Sequence, residues 1–202
     1  MTLGEHYREG LVGKGGAVLV RRDLRAARRC LERAAALGDT DGMSSLASLL
    51  ADERPTASTL KRAAALYRTA YRNGNTTAAY NLAVLHKRHG RHRLAVAWFE
   101  RAYRAGDPSA LLQLGLAELY GVGTPRNGAA GIAKLEAMAN STTKYWPRST
   151  GENVEAMLVL ADTLMRGWLV PRDYETAIAW LQRAASWDNA TAKTILREHG
   201  YL

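Results

Sequence analysis

The chain has 202 residues, 47% of them hydrophobic and 23% charged, which excludes a disordered polymer and supplies either one sizeable core or a short solenoid. No stretch approaches the roughly 18 uninterrupted apolar residues of a membrane helix. The one cysteine, Cys30, excludes an intramolecular disulfide. The formal charge of +9 is uneven: residues 1–104 hold 19 Lys and Arg against 9 Asp and Glu, and residues 105–202 hold 9 against 10. That asymmetry fits an acidic partner for the N-terminal half, and it fits equally the solvated helix faces of an arginine-rich proteome. Alanine, leucine and arginine dominate while β-branched residues are sparse, so the expected class is all-α. The opening MTLGEHYREG has no basic segment followed by an apolar run, and the expected location is the cytoplasm.

In chain order, helices are expected over 1–9, 22–37, 40–52, 57–73, 75–88, 92–105, 108–120, 128–139, 153–166, 173–186 and 189–198. Residues 11–21 (LVGKGGAVLVR) read as an overlong loop. Its Gly13-Lys14-Gly15-Gly16 lacks both the glycine spacing and the Ser/Thr of a phosphate loop. The helix over 22–37 is crowded with arginine, and Arg25, Arg28, Arg29 and Arg33 share one face at helical spacing. Cys30 within it is read as an inert core residue. Short turns follow at Gly38-Asp39, Gly74-Asn75 and Gly106-Asp107-Pro108, the usual punctuation of a helix end and a new cap. His86, His89 and His92 stand among Lys87, Arg88, Arg91 and Arg93, which would repel a dication, so they read as an exposed basic cluster. Residues 140–152 (NSTTKYWPRSTGE) insert about ten extra residues at a repeat boundary.

Five helices carry a small residue, an apolar residue four on and usually alanine three after that. The columns read Ala27, Ala63, Ala95, Gly131, Ala177; then Leu31, Tyr67, Phe99, Leu135, Leu181; then Ala34, Ala70, Ala102, Met138, Ala184. Four residues before each first-column position stand Asp23, Thr59, Arg91, Asn127 and Asp173, and all but the arginine are capping types. The intervening helices carry Gly42, Ala78, Ala110, Ala156 and Ala192, each followed four residues later by Leu46, Leu82, Leu114, Leu160 and Leu196. Small residues let a neighbouring backbone approach, and the leucine one turn on fills the groove. Such a period means stacked antiparallel helix pairs, about five and a half repeats in one domain over 1–202.

This pattern resembles the SEL-one-like repeat, a relative of the tetratricopeptide repeat. Leu3-Gly4-x-x-Tyr7-x-x-Gly10 and Leu114-Gly115-x-x-x-Leu119-Tyr120-Gly121-x-Gly123 are similar to its first helix and glycine loop. Asp173-x-x-x-Ala177-x-x-Trp180-Leu181-x-Arg183-Ala184-Ala185 is similar to its second helix. Residues 75–108 lean toward the plain tetratricopeptide form through Tyr80-Asn81-Leu82-Ala83 and Ala95-x-x-x-Phe99-x-x-Ala102. The resemblance implies an all-α, right-handed α-solenoid of roughly eleven helices whose concave side binds a protein or peptide. In tetratricopeptide arrays the residue before the Leu-Ala/Gly pair looks into the groove and can bind a peptide backbone or terminal carboxylate. Here those positions are Ser45, Asn81 and Gln113, with Val159 in the fourth.

Tyr145, Trp146 and Arg148 in the 140–152 insertion are residue types favoured at interface hot spots, or else aromatics tucked against their own solenoid. No carboxylate pair or activated nucleophile stands out, Glu118 and Asp162 read as polar flank, and neither enzyme activity nor a cofactor is expected. Two functions remain in view. One is a protein-binding adaptor, regulator or cognate inhibitor of a bacterial cell, toxin immunity among the roles the family includes. The other is nucleic-acid binding through Arg25, Arg28, Arg29 and the rest of the basic half, although aromatics are not interleaved there.

Overall fold

The computed structural model describes residues 3–12, 18–53, 55–141 and 151–202. These divide into two compact units, 1–90 and 91–202. The first unit holds α1 (Leu3–Glu9), α2 (Leu24–Ala36), α3 (Thr40–Asp52), α4 (Ala57–Arg72) and α5 (Thr77–Arg88). The second holds α6 (His92–Arg104), α7 (Ser109–Tyr120), α8 (Gly128–Asn140), α9 (Gly151–Arg166), α10 (Tyr174–Ser186) and α11 (Ala190–Glu198). Within each unit every helix packs on the next along the chain, and α3 also touches α5 as α7 touches α9. This is the α-solenoid arrangement expected from the period. Among the described residues, no helix is long and apolar enough to cross a membrane.

The columns are the core. Ala27, Ala63 and Ala177 are fully buried, as are Leu31, Leu82, Leu135 and Leu160. Ala34 departs, being half-buried. The one glycine in the first column, Gly131, has a packing cause: a Cβ there would lie 2.8 Å from the Leu119 amide nitrogen and 2.9 Å from the Gly115 carbonyl oxygen. Helices α7 and α8 therefore cross backbone on backbone at Gly115 and Gly131.

The caps follow the sequence with one shift. Asp23 accepts from the Arg25 and Ala26 amides, Asn127 from Ala130 and Asp173 from Thr176. In α4 the cap is Thr56, and Thr59 is its partner in a reciprocal capping box, so that helix starts nearly a turn earlier than the column spacing implied.

Residues 11–21 are not simply a loop. Leu11–Val12 (β1) and Val18–Val20 (β2) pair antiparallel, as the valines favour. This hairpin sits inside a connection that recurs. The Asp23 amide donates to the Tyr7 carbonyl at 2.8 Å, Asn127 to Glu118 at 2.8 Å and Asp173 to Leu164 at 3.0 Å. The partners are nine residues apart in the second and third cases and sixteen in the first. Gly10, Gly121 and Gly167, all with positive φ, open these connections. The hairpin is thus an enlargement of a loop whose ends are fixed in the same way.

Candidate functional site

In the first unit, the first helices of successive pairs are tied side by side. Ser45 Oγ on α3 donates to Glu5 on α1 at 2.9 Å. Asn75 Nδ2, just before α5, donates to the Asp41 carboxylate at 2.8 Å, and Arg88 Nη1 on α5 donates to Asp52 on α3 at 2.8 Å. The Tyr67 hydroxyl reaches from α4 to Ser48 at 2.7 Å. Burial pushes the Tyr67 phenol up, against the lowering effect of the Ser48 hydrogen bond, and the Asp52 charge adds to the rise.

Ser45 and Asn81 occupy equivalent half-buried positions on this surface, each just before a buried Leu-Ala pair. They differ in what they do. Ser45 is engaged by Glu5, whereas the Asn81 side chain makes no hydrogen bond to any described residue. Solvent reaches this half-buried amide, so its donors and acceptors are open to an external partner in exchange for water. Arg88, two turns further along α5 and on the same side as Asn81, was read from the sequence as a member of the basic cluster around His86 and His89; its spacing of seven residues from Asn81 was the signal that joins the two. Its pair with Asp52 is exposed, 58% and 48% for the two side chains, so a competing carboxylate displaces Asp52 at a cost of about 1 kcal/mol or less.

In the second unit Gln113 is half-buried on α7, and Val159 stands half-buried in the equivalent place on α9. Ser109 Oγ donates to Glu152 at 3.0 Å, joining α7 to α9. Further along, α9 and α11 border a cleft lined by Leu158, Asp162, Met165, Arg166, Ile195 and Glu198, among others. Glu118 and Asp162 are occupied by Lys134 and Arg166, each at 2.6 Å.

The other expected residues lie apart from this surface. Arg25, Arg28 and Arg29 are exposed on the outward side of α2, away from the Ala27 and Leu31 stripe that packs inward. Tyr145, Trp146 and Arg148 fall outside the described residues. Two expectations need correcting. His86 is buried, 2% exposed, and belongs to no exposed basic cluster. Cys30 is half-buried at the edge of the core rather than within it.

A second aromatic group also escaped the sequence reading. Tyr120 stands just before Gly121 and Trp168 just after Gly167, and their rings lie 6.4 Å apart, both exposed. The repeated Gly-x-x-x-x-Arg-Asn/Asp of Gly121–Asn127 and Gly167–Asp173 marks the two connections as equivalent, but it sets Tyr120 against Arg166 and Trp168 against Val122, so no sequence signal paired the rings.

The Sel1 repeat profile matches residues 3–39, 108–133 and 154–186, and a tetratricopeptide repeat profile matches 56–110. Among solved structures, the chain is similar to c5321, a protective antigen of uropathogenic Escherichia coli displaying an SLR fold. The identity is 25% and the TM-score 0.69, over 97% of this chain and 39% of that one. It is similar in fold to a Sel1 repeat protein from Oxalobacter formigenes at 21% identity and TM-score 0.68, over 96% of this chain and 74% of that one. A sel1 repeat protein from Klebsiella pneumoniae subsp. pneumoniae has 19% identity and TM-score 0.56, over 85% and 81%. The chain spans about two-fifths of the length of c5321. Among curated proteins, none matches it.

Proposed function

With Sel1 repeats on both sides of a tetratricopeptide segment, this chain is a Sel1-like repeat protein, and we propose that it is a non-catalytic interaction module. In this reading it holds an extended segment of a protein partner against the face formed by α1, α3 and α5, in the cytoplasm of a bacterial cell. It serves there as an adaptor, a regulator or a cognate inhibitor such as a toxin-immunity protein. The observation that carries the reading is Asn81. Its half-buried amide has no hydrogen-bond partner among the described residues, on a surface where the equivalent Ser45 is already engaged.

The chemistry follows from the side chains. A carboxamide offers both donors and acceptors, which match the N–H and C=O of an extended backbone. Arg88 supplies a guanidinium for a carboxylate of the partner, exchanging an exposed internal pair for a charge-assisted one. The reading accounts for an acidic partner without requiring the arginines of α2. On this account Glu118 and Asp162 are structural, being bound to Lys134 and Arg166.

The test is capture from native lysate by the tagged full-length chain, at low and high salt and with nuclease. The expected result is a discrete protein that resists both treatments and is lost with Asn81→Ala together with Arg88→Ala. Retention of that protein by the double variant refutes the assignment of this face.

A further inference from the structure

We propose that the outward side of α2 and α4 is a second binding surface, one that takes the phosphate backbone of a nucleic-acid duplex. Helix α2 packs inward through Ala27 and Leu31, both 0% exposed. At 3.6 residues per turn, Arg25 and Arg29 project from the opposite side, one turn apart, and both are exposed. Arg33 is exposed a turn further on, and none of these three makes a salt bridge to a described residue. The surface continues onto α4. Glu32 accepts from Arg28 Nε at 3.2 Å and from Arg62 Nη2 at 3.1 Å, tying the outer sides of the two helices together. Glu32 thus carries two guanidiniums, and Asp23 is turned to the N-terminus of α2 as its cap. The Asp23 carboxyl, lowered first by the Ala26 amide, also feels the charges of Arg29 and Arg25, but one carboxylate does not neutralise Arg25, Arg29 and Arg33, and positive charge is left over on this side.

The kind of partner follows from what this side lacks. Among the described residues of the first unit, the exposed large apolar side chains are Leu19 and Leu37, and no aromatic ring is among them. A single strand needs rings on which its bases stack. A dense, single-sign guanidinium surface without rings matches closely spaced phosphates, which give affinity without base readout. A duplex presents the highest density of such charge.

The experiment is fluorescence anisotropy of a labelled DNA duplex of roughly 20 base pairs with the full-length chain, titrated in about 50 to about 200 mM salt. Log affinity is expected to fall linearly with log salt. The triple variant Arg25→Glu, Arg29→Glu, Arg33→Glu is expected to lose at least about tenfold in affinity and to flatten the slope by about 1 per arginine. Lysine at the same three positions keeps most of the binding, Asn81→Ala changes nothing, and circular dichroism verifies that helix content is retained. The proposal is overturned by absence of duplex binding at low salt or by undiminished binding of the glutamate variant. It is also overturned by tighter binding of a single strand, or by binding of an acidic peptide or anionic vesicles and not the duplex. The two surfaces use different helix faces, so failure here leaves the peptide-binding reading intact, and the reverse holds.

Discussion

Asp188 adopts a backbone conformation that glycine supplies at equivalent turns. Its φ is 64°, beside 87° at Gly38, 95° at Gly74 and 92° at Gly106. A left-handed conformation costs an L residue about 1 kcal/mol or more, while the Asp188 and Lys193 pair is a surface ion pair of the kind that adds little. Asp188→Gly is therefore expected to raise stability by about 0.5 kcal/mol, read as a higher midpoint in thermal or urea unfolding. A lower midpoint would mean that the Lys193 contact outweighs the backbone strain. The caps give a pH prediction. The Thr176 hydroxyl and amide hold the Asp173 carboxyl below its ordinary value. A depressed folded pKa contributes stability above the unfolded value near 3.8, and that stability is lost as pH falls through the folded value. Asp173→Asn keeps a capping oxygen but cannot titrate, so its midpoint should fall less than the wild type's between about pH 5 and pH 2. An identical fall would show that Asp173 is not part of the acid response. The capping residues were legible because the chemistry is local, needing only an oxygen beside free amides. The burial of His86 was not, because it depends on what packs over α5 and not on its charged neighbours in sequence.

Helix pairs were legible for a related reason. Each stacked repeat places the same small and large residues at the same contact, and the columns record that contact directly. The departures are where a column breaks. Gly131 replaces alanine because the α8 backbone lies against the backbone of α7. Gly131→Ala gains up to about 1 kcal/mol of helix propensity, but overpacking backbone against backbone costs typically 1–3 kcal/mol. The expected net loss is about 1–2 kcal/mol in urea unfolding, and a neutral result would mean that α7 and α8 can move apart without cost. Ala27, Ala63, Ala95 and Ala177 at the aligned position of α2, α4, α6 and α10 are buried with their Cβ accommodated, so glycine introduced there should destabilise instead. The hairpin of β1 and β2 was read only as a long loop, since strands of two and three residues leave too short a pattern to separate strand from coil. Its fixed ends emerge only when three connections are compared, through amide-to-carbonyl bonds from Asp23, Asn127 and Asp173 that no side chain announces.

At the scale of the molecule, the two repeat types follow the connections between helices. Sel1 matches cover the pairs joined through Gly10, Gly121 and Gly167, and the tetratricopeptide match covers α4 through α6. The first unit carries two chemically distinct surfaces: a polar face with Ser45, Asn81 and Arg88, and an outward arginine side on α2 and α4. The sequence grouped Ser45 and Asn81 with the arginines of α2 as candidates because it could count spacing but not decide which way a helix turns. Partner choice is still less legible, since exposed positions are not constrained by stacking, and Asn81 is distinguished only by the hydrogen bond that it does not make.

The most direct test of the central claim is the affinity of the captured protein partner for wild type and for Asn81→Ala, measured by titration calorimetry on the full-length chain. Asn81 is only half-buried and the change removes no internal hydrogen bond, so folding stability should shift by no more than about 0.5 kcal/mol. The account predicts a loss in affinity of about tenfold, one hydrogen-bonding group's worth, at unchanged fold. Equal affinity of the two proteins, with the fold intact in both, would contradict it and place the working surface elsewhere.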